Sequence, residues 1–376
     1  MIFLVGCTAK DSRTTVQFSS WGSKSEIDIL KPILQDFETQ NPDIKVDFMH
    51  IPQNYFQKLH LLFASNTAPD VIFINNLYLP IYANAGLLED LSDSDLANEN
   101  FFPKAIEAME YKGKIYAIPR DVSNLVVYYN KDLFDSKNVR YPDKNTTFQE
   151  FLEIAKKITS PQEGIFGVSF EEEPLFYLPY LMSEGGGILS DDLLTNILNS
   201  EESLRGINFY ADLRTKHHVA PTKSESASAT MAQMFLQGKI GMHISGRWLV
   251  PKYRETAEFD WDVTQFPKGT KGSIVPLDAS GWAISSKSNH KDEAIRLIKY
   301  LSSKESLENF SSSGLVVPAR IDAANSKNFL DDKKPKNAKV FLEIISTSKP
   351  TPVSVNYNEI LDNTKKTLEK KFNQKL

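Results

Sequence analysis

The chemistry most visible in these 376 residues is a set of aromatic rings set beside small polar groups. Four tryptophans occur, and Trp21 directly follows Thr15-Val16-Gln17-Phe18 and two serines, at the end of what reads as a strand. Trp248 comes just after Ser245-Gly246, whose small side chains leave backbone open to a neighbour. A flat ring next to hydroxyls and backbone suits a ligand with apolar C–H faces and a rim of hydroxyl groups: the faces stack, and the rim needs directional donors and acceptors. Trp282 fits a core as well as a site, and Trp261, between Asp260 and Asp262, reads as structural. Asn75 and Asn76 follow the apolar run Val71 to Ile74 and so fall at a strand's carboxyl end, where α/β sheets hold their ligands. Gly186, within Gly185-Gly186-Gly187, permits close backbone approach, but the run has no phosphate-loop lysine and is no nucleotide site.

These residues need a sheet to position them, and the first hundred residues provide one. Ser23 and Glu26 have capping-box spacing, and Ile27, Leu30, Ile33, Leu34 and Phe37 recur on one helical face until Asn41-Pro42. Ile44, Val46 and Phe48 alternate like a half-buried strand, Phe56, Leu59, Leu62 and Phe63 mark a second helix, and Val71 to Ile74 reads as a buried strand. Strand, helix, strand, helix, strand implies a parallel sheet with right-handed crossovers. Further helices are expected at Phe148 to Ala155, at Asp292 to Ser303 and from Tyr357 to Phe372, the last with its lysines on a solvated face.

Length allows two cores, and a net charge of -5 with scattered lysines gives no basic field for nucleic acid. The longest apolar runs fall short of the roughly 20 residues that cross a bilayer as a helix. The single cysteine, Cys7, follows Leu4-Val5-Gly6. That run resembles the lipobox of bacterial lipoproteins, in which the residues before the cysteine are a signal peptide and the cysteine carries acyl chains; residues 1–13 are then a signal-peptide remnant and lipid tether.

Ten segments in order carry a wider resemblance. They are Phe18-Ser19-Ser20-Trp21, Phe37 through Asn41-Pro42-Asp43-Ile44-Lys45-Val46, Ala68-Pro69-Asp70-Val71, Gly86-Leu87-Leu88, Gly113 to Pro119, Tyr129-Asn130-Lys131-Asp132-Leu133-Phe134, Phe235 to Met242, Ser245-Gly246-Arg247-Trp248, Gly281-Trp282-Ala283-Ile284-Ser285 and Tyr300-Leu301-Ser302-Ser303. Together they resemble the solute-binding proteins of sugar-importing ABC systems, the maltose-type and glycerol-3-phosphate-type group. The resemblance implies an α/β, two-lobed periplasmic-binding-protein fold with a ligand cleft between lobes. It implies an N-terminal lobe of 14–119 plus 279–317 and a C-terminal lobe of 120–278 plus 318–376, with crossings near Pro119 to Asp121, Asp278 to Gly281 and Pro318.

It also implies which residues meet the ligand. Asp121 and Ser123 follow Pro119 where the family presents polar groups, and Gly281, Trp282 and Tyr129 lie in its motifs; Asp70 ranks lower, as a cap or turn. Arg120, Arg247 and Arg320 each stand beside a cleft motif, and two of them turned inward would make a phosphorylated polyol, rather than a neutral sugar, the ligand. The function implied is capture of a carbohydrate outside the cytoplasm by a lipid-anchored monomer, and its delivery to membrane permease subunits. No cofactor is expected. A carbohydrate-active enzyme would need a defined carboxyl pair, and Glu171-Glu172-Glu173 reads instead as a solvated loop; His217-His218 lacks metal spacing, and no Gly-x-Ser-x-Gly occurs.

Overall fold

The computed structural model describes residues 12–373; Cys7 and the tether through Asp11 lie outside them. Ser23 opens the first helix, Lys24–Gln40, with the reciprocal capping box its spacing requires, and the five apolar residues of its stripe are all buried. Asn41 ends it, its backbone N–H donating to the Phe37 carbonyl. The described residues form thirteen strands: β1 (Thr14–Ser20), β2 (Ile44–His50), β3 (Val71–Asn75), β4 (Glu110–Tyr111), β5 (Lys114–Ile115), β6 (Ile118–Ser123), β7 (Val126–Asn130), β8 (Phe166–Val168), β9 (Ile240–Ser245), β10 (Trp261–Thr264), β11 (Pro276–Ile284), β12 (Val317–Pro318) and β13 (Lys349–Pro350).

They make two main sheets. The first has the order β12-β6-β11-β3-β1-β2, with β13 added beside β11; the second is β10-β7-β9-β8. β1 pairs parallel with both β2 and β3, as the alternating strand and helix pattern predicts. β11 runs antiparallel to β3 and to β6. It therefore returns from the second lobe into the middle of the first sheet. β6 runs through the passage expected near Pro119 to Asp121 and ends at Ser123; after Asn124-Leu125, β7 begins the second sheet. Asn124 is buried, and its amide donates to the Phe341 carbonyl at 3.0 Å, tying this passage to the segment that follows β12.

Both lobes are cored as expected. Phe18, Phe37, Phe73 and Trp282 fill the first, and the second sheet packs the helices Phe148–Ile158, Pro174–Ser183 and Glu201–Thr215 onto Val127, Met242 and Ile244. The terminal helix Tyr357–Asn373 sends Leu368 and Phe372 into that second core. Among the described residues no helix is long and apolar enough to cross a membrane.

Candidate functional site

Strand directions bring one edge of each sheet to the passage between lobes. β6 is antiparallel to β11, which is antiparallel to β3, so the carboxyl ends of β1, β3 and β6 lie together beside the amino end of β11. That edge carries Trp21, Asn75, Asn76, Ser123 and Asp278. On the second sheet Ser245 ends β9 opposite Val126, the first residue of β7, so Ser245 to Trp248 abut the same passage.

The first edge is aromatic. Trp21 is half-buried, its ring 4.3 Å from Phe73, 5.0 Å from Tyr55 and 5.3 Å from Phe56. Phe56 in turn lies flat on Tyr78, centroids 3.7 Å apart and planes within 8°. Trp21, Phe56 and Tyr78 all keep part of their surface exposed and form a three-ring wall. Asn75 holds the wall rather than facing outward: its Oδ1 accepts from the Tyr78 backbone N–H at 3.1 Å, closing the turn that presents the ring. Phe56 and Tyr78 escape the sequence reading. Phe56 counts there as one apolar position of a helix face, and only the polar loop after a buried strand hints at Tyr78.

The opposing edge is shaped by Gly246. A Cβ there would stand 1.8 Å from the Trp248 ring, so the small residue makes room for this ring, not for a ligand's approach to backbone. The carbonyl of Gly246 accepts from Tyr128 Oη at 2.7 Å, which fixes the turn. Trp248 remains half-buried against the second core, and Ser245 is buried. Nearby, Glu171-Glu172-Glu173 is the loop its sequence suggests, partly exposed, but each carboxylate lies beside a basic side chain. Glu172 pairs with Arg214 at 2.7 Å and Lys223 at 3.1 Å, and Glu173 with Lys365 of the terminal helix at 2.5 Å. Glu171 lies 3.8 Å from the Nε2 of buried His243, whose Nδ1 meets Tyr253 Oη at 2.6 Å; burial holds this imidazole's pKa below the usual value. Among the described residues no cluster of side chains has the make-up of a metal site.

A two-lobed α/β chain with aromatic edges meeting at a strand passage invites comparison, and the family model for bacterial extracellular solute-binding proteins matches residues 33–337. The chain belongs to that family. Relatives of this solute-binding protein include the galactooligosaccharide-binding protein of Bacillus subtilis, 24% identical over 94% of this chain and 84% of the relative. Another is the multiple sugar-binding protein of Streptococcus mutans, 25% identical over 80% of this chain and 74% of that one. Among solved structures, an ABC substrate-binding protein of Listeria monocytogenes in complex with cycloalternan superposes with a TM-score of 0.84 at 28% identity, covering 96% of this chain and 94% of that one. The fold is also that of maltose-bound MalE3 of T. maritima, with a TM-score of 0.79 at 24% identity over 96% and 94% of the two chains.

Within this solute-binding protein two of the three arginines expected beside the cleft are paired with carboxylates, and the third, Arg247, is buried with its Nε and Nη1 unbonded. Arg120 donates to Asp121 and reaches Glu26 at 3.4 Å, its guanidinium stacked 4.3 Å from Phe73 and 5.1 Å from Phe310. Arg320 pairs with Glu99 and, at 2.9 Å, with Asp322. Arg247 turns inward, 3.9 Å from the Phe329 ring and 5.3 Å from Phe341, where burial draws its pKa down to about 10. No two of the three converge on an open site. The phosphorylated-polyol alternative therefore loses the guanidinium pair on which it rested.

Asp121 is buried in its pair with Arg120, and Trp282 is 1% exposed in the first core, 6.1 Å from Phe73. A sugar platform needs an open face, and Trp282 has none here. Gly281 sits inside the sheet, where a Cβ would meet the Ile118 carbonyl oxygen at 2.0 Å. Trp21, Asn75, Ser123, Ser245 and Trp248 are thus gathered at the facing edges. Arg120, Asp121, Gly281, Trp282 and Arg320 build the first lobe behind them.

Proposed function

We propose that the protein captures a neutral carbohydrate outside the cytoplasm and hands it to the permease of an ABC importer, catalysing no reaction. The observation that carries this is the three-ring wall of Trp21, Phe56 and Tyr78 on the carboxyl edge of the first sheet, with Arg120 and Arg320 already paired with carboxylates and Arg247 buried against the rings of Phe329 and Phe341. Rings supply faces for sugar C–H groups, and among the described residues these three arginines offer no converging cation pair for a phosphate. The sugar-named relatives support the same ligand class.

Mechanism follows from two lobes joined by a few chain passages. A ligand touching both edges favours the closed arrangement only by the difference in its affinity for closed and open forms. The closed monomer is then what the permease reads. A thermal-shift screen over neutral oligosaccharides, polyols and their phosphates tests the ligand class. At about 100 times its Kd a bound sugar should add roughly 2.7 kcal/mol to unfolding stability, with no shift from glycerol phosphates. Trp21→Ala should weaken the best sugar by about tenfold to a hundredfold, the worth of a buried aromatic contact. A shift with phosphates alone, or full affinity in the variant, would sink the reading.

We infer further that Cys7 carries the lipid anchor, from the Leu4-Val5-Gly6-Cys7 run. Cys7→Ser should then move the protein from the membrane fraction to the medium or periplasm; unchanged fractionation counts against it.

A further inference from the structure

The first sheet carries a second surface on the edge opposite its aromatic wall. β1 and β3 run parallel and β11 runs against them, so the start of β1, the loop before β3 and the loop after β11 meet there, away from the carboxyl ends that hold Trp21 and Asn75. A groove of about 580 Å³ opens at this edge, lined by Thr15 and Gln17 of β1 together with Met49, Leu62, Phe63 and Lys287. Thr15 and Gln17 are exposed, and so are their register partners on β2, Lys45 and Asp47. The helix Tyr55–Ala64 ends at the same groove. Its Leu61 is 70% exposed, Leu62 and Phe63 are half-buried, and Met49 on β2 is 38% exposed. Lys58, also exposed, precedes Leu62 by one turn on the same helix face.

The charges on this face are mostly positive and open. Among the described residues Lys45, Lys58 and Lys287 have no carboxylate partner, and Lys287 Nζ donates only to Asn66 Oδ1, at 3.1 Å. Asp70 is turned to the sheet, accepting from the Gln17 backbone N–H at 2.8 Å and from Ser288 Oγ at 2.6 Å, which leaves Asp47 as the exposed acid. Apolar side chains standing in water among unpaired lysines match an anionic lipid surface: the leucine enters the headgroup boundary and the ammonium groups meet phosphate. Reach favours the same occupant. β1 begins at Thr14, seven residues after Cys7, so even a fully extended tether spans at most about 25 Å. An acylated Cys7 therefore keeps this edge close to the bilayer. Over so short a tether the effective concentration is about millimolar, and a weak affinity is enough to fill the face.

We propose that this edge is a docking face for an anionic phospholipid surface, with Leu61 entering the headgroup region and Lys58 and Lys287 meeting phosphate groups. This rests on the lipid-anchor reading of Cys7 above. Seated in this way, the chain turns the carboxyl ends of β1 and β3, with Trp21, away from the lipid and toward the medium that carries the ligand.

The test uses the full chain coupled through Cys7, its single cysteine, to a maleimide-bearing phospholipid in vesicles, which supplies an anchor whether or not the cell acylates that residue. Leu61→Trp adds a fluorophore at an exposed position, read as the difference from the unaltered chain. Over vesicles of brominated phosphatidylglycerol the added emission should fall by about half relative to unbrominated vesicles. It should recover in about 1 M salt, where charges are screened beyond about 3 Å. Adding Lys58→Glu and Lys287→Glu should abolish the quenching and leave the thermal midpoint unchanged, because both side chains are exposed. Equal emission over brominated and plain vesicles overturns this inference alone. Equal quenching over brominated phosphatidylcholine, which has no net charge, also overturns it. So does quenching confined to vesicles that carry the cell's membrane proteins, since that places a protein on the face. Unchanged fractionation of Cys7→Ser overturns the anchor reading and this inference with it.

Discussion

Arg120→Met is expected to lower the unfolding free energy by about 3–5 kcal/mol, the usual cost of removing one partner from a buried ion pair. Arg120 and Asp121 are only 7% and 8% exposed, so neither charge has water to fall back on. The guanidinium lies between Phe73 and Phe310 and donates to Asp121 and Glu26. Methionine would fill much of the same apolar slot, so the loss is electrostatic: Asp121 is left buried with Glu26 nearby and no counter-charge. Burial already raises the pKa of Asp121, with Arg120 opposing that rise. Removing Arg120 raises it further. A carboxyl whose folded-state pKa exceeds its unfolded value destabilises the fold at neutral pH, and the loss is regained as pH falls through the folded value toward the ordinary one. Urea unfolding at pH 7 and pH 5 should therefore show the variant recovering relative to the unaltered chain on acidification. Adding Asp121→Asn should restore much of the loss at pH 7. A single-variant cost below about 1 kcal/mol, or no recovery in the double variant, would contradict the pairing argument.

Arg120 also shows where sequence stops informing. Periodicity locates elements well: the stripe Ile27 to Phe37, the buried strand at Val71 and the terminal helix all lie where their patterns put them, because one buried face suffices to define each. Motif order is enough for the two-lobed fold. What it does not convey is which way a side chain points at a strand irregularity. The pairing of β11 with β6 passes from Ser280 opposite Asp121 to Gly281 opposite Pro119, so Arg120 is the extra residue of a bulge. A bulge breaks the alternation of faces, and proximity to a cleft motif then says nothing about inward or outward. Trp248 is similar, since its ring covers a glycine two residues earlier, a contact that spacing cannot reveal. Phe56 and Tyr78 stack across 22 residues of chain, from a helix and from the loop after β3. Such pairs exist only once the sheet has brought their elements together.

The same bulge makes Gly281 the least replaceable residue of the lobe passage. Gly281→Val is expected to cost about 3 kcal/mol or more, with soluble yield falling accordingly. The backbone there is under no conformational demand that only glycine meets; what excludes a side chain is closeness. A Cβ would lie 2.0 Å from the Ile118 carbonyl oxygen and 2.7 Å from Pro119 Cα, all of it backbone that cannot rotate away. Nor can the strand shift sideways. On its other edge Gly281 pairs with Ile74 of β3, the centre of the sheet, and the flanking Trp282 is fixed among Phe73 and Phe310. Relief must then come from parting β11 and β6, two of the strands that carry the passages between lobes. Two measurements separate this from a general intolerance of the strand. Ser280→Ala, one residue away and with no side-chain hydrogen bond to lose, should stay within about 0.5 kcal/mol. Gly281→Ala should already lose most of what Gly281→Val loses, because the first added carbon makes the clash. If alanine is accepted at 281 within about 1 kcal/mol, β11 and β6 yield more readily than their packing implies, and the bulge at Arg120 is what gives way.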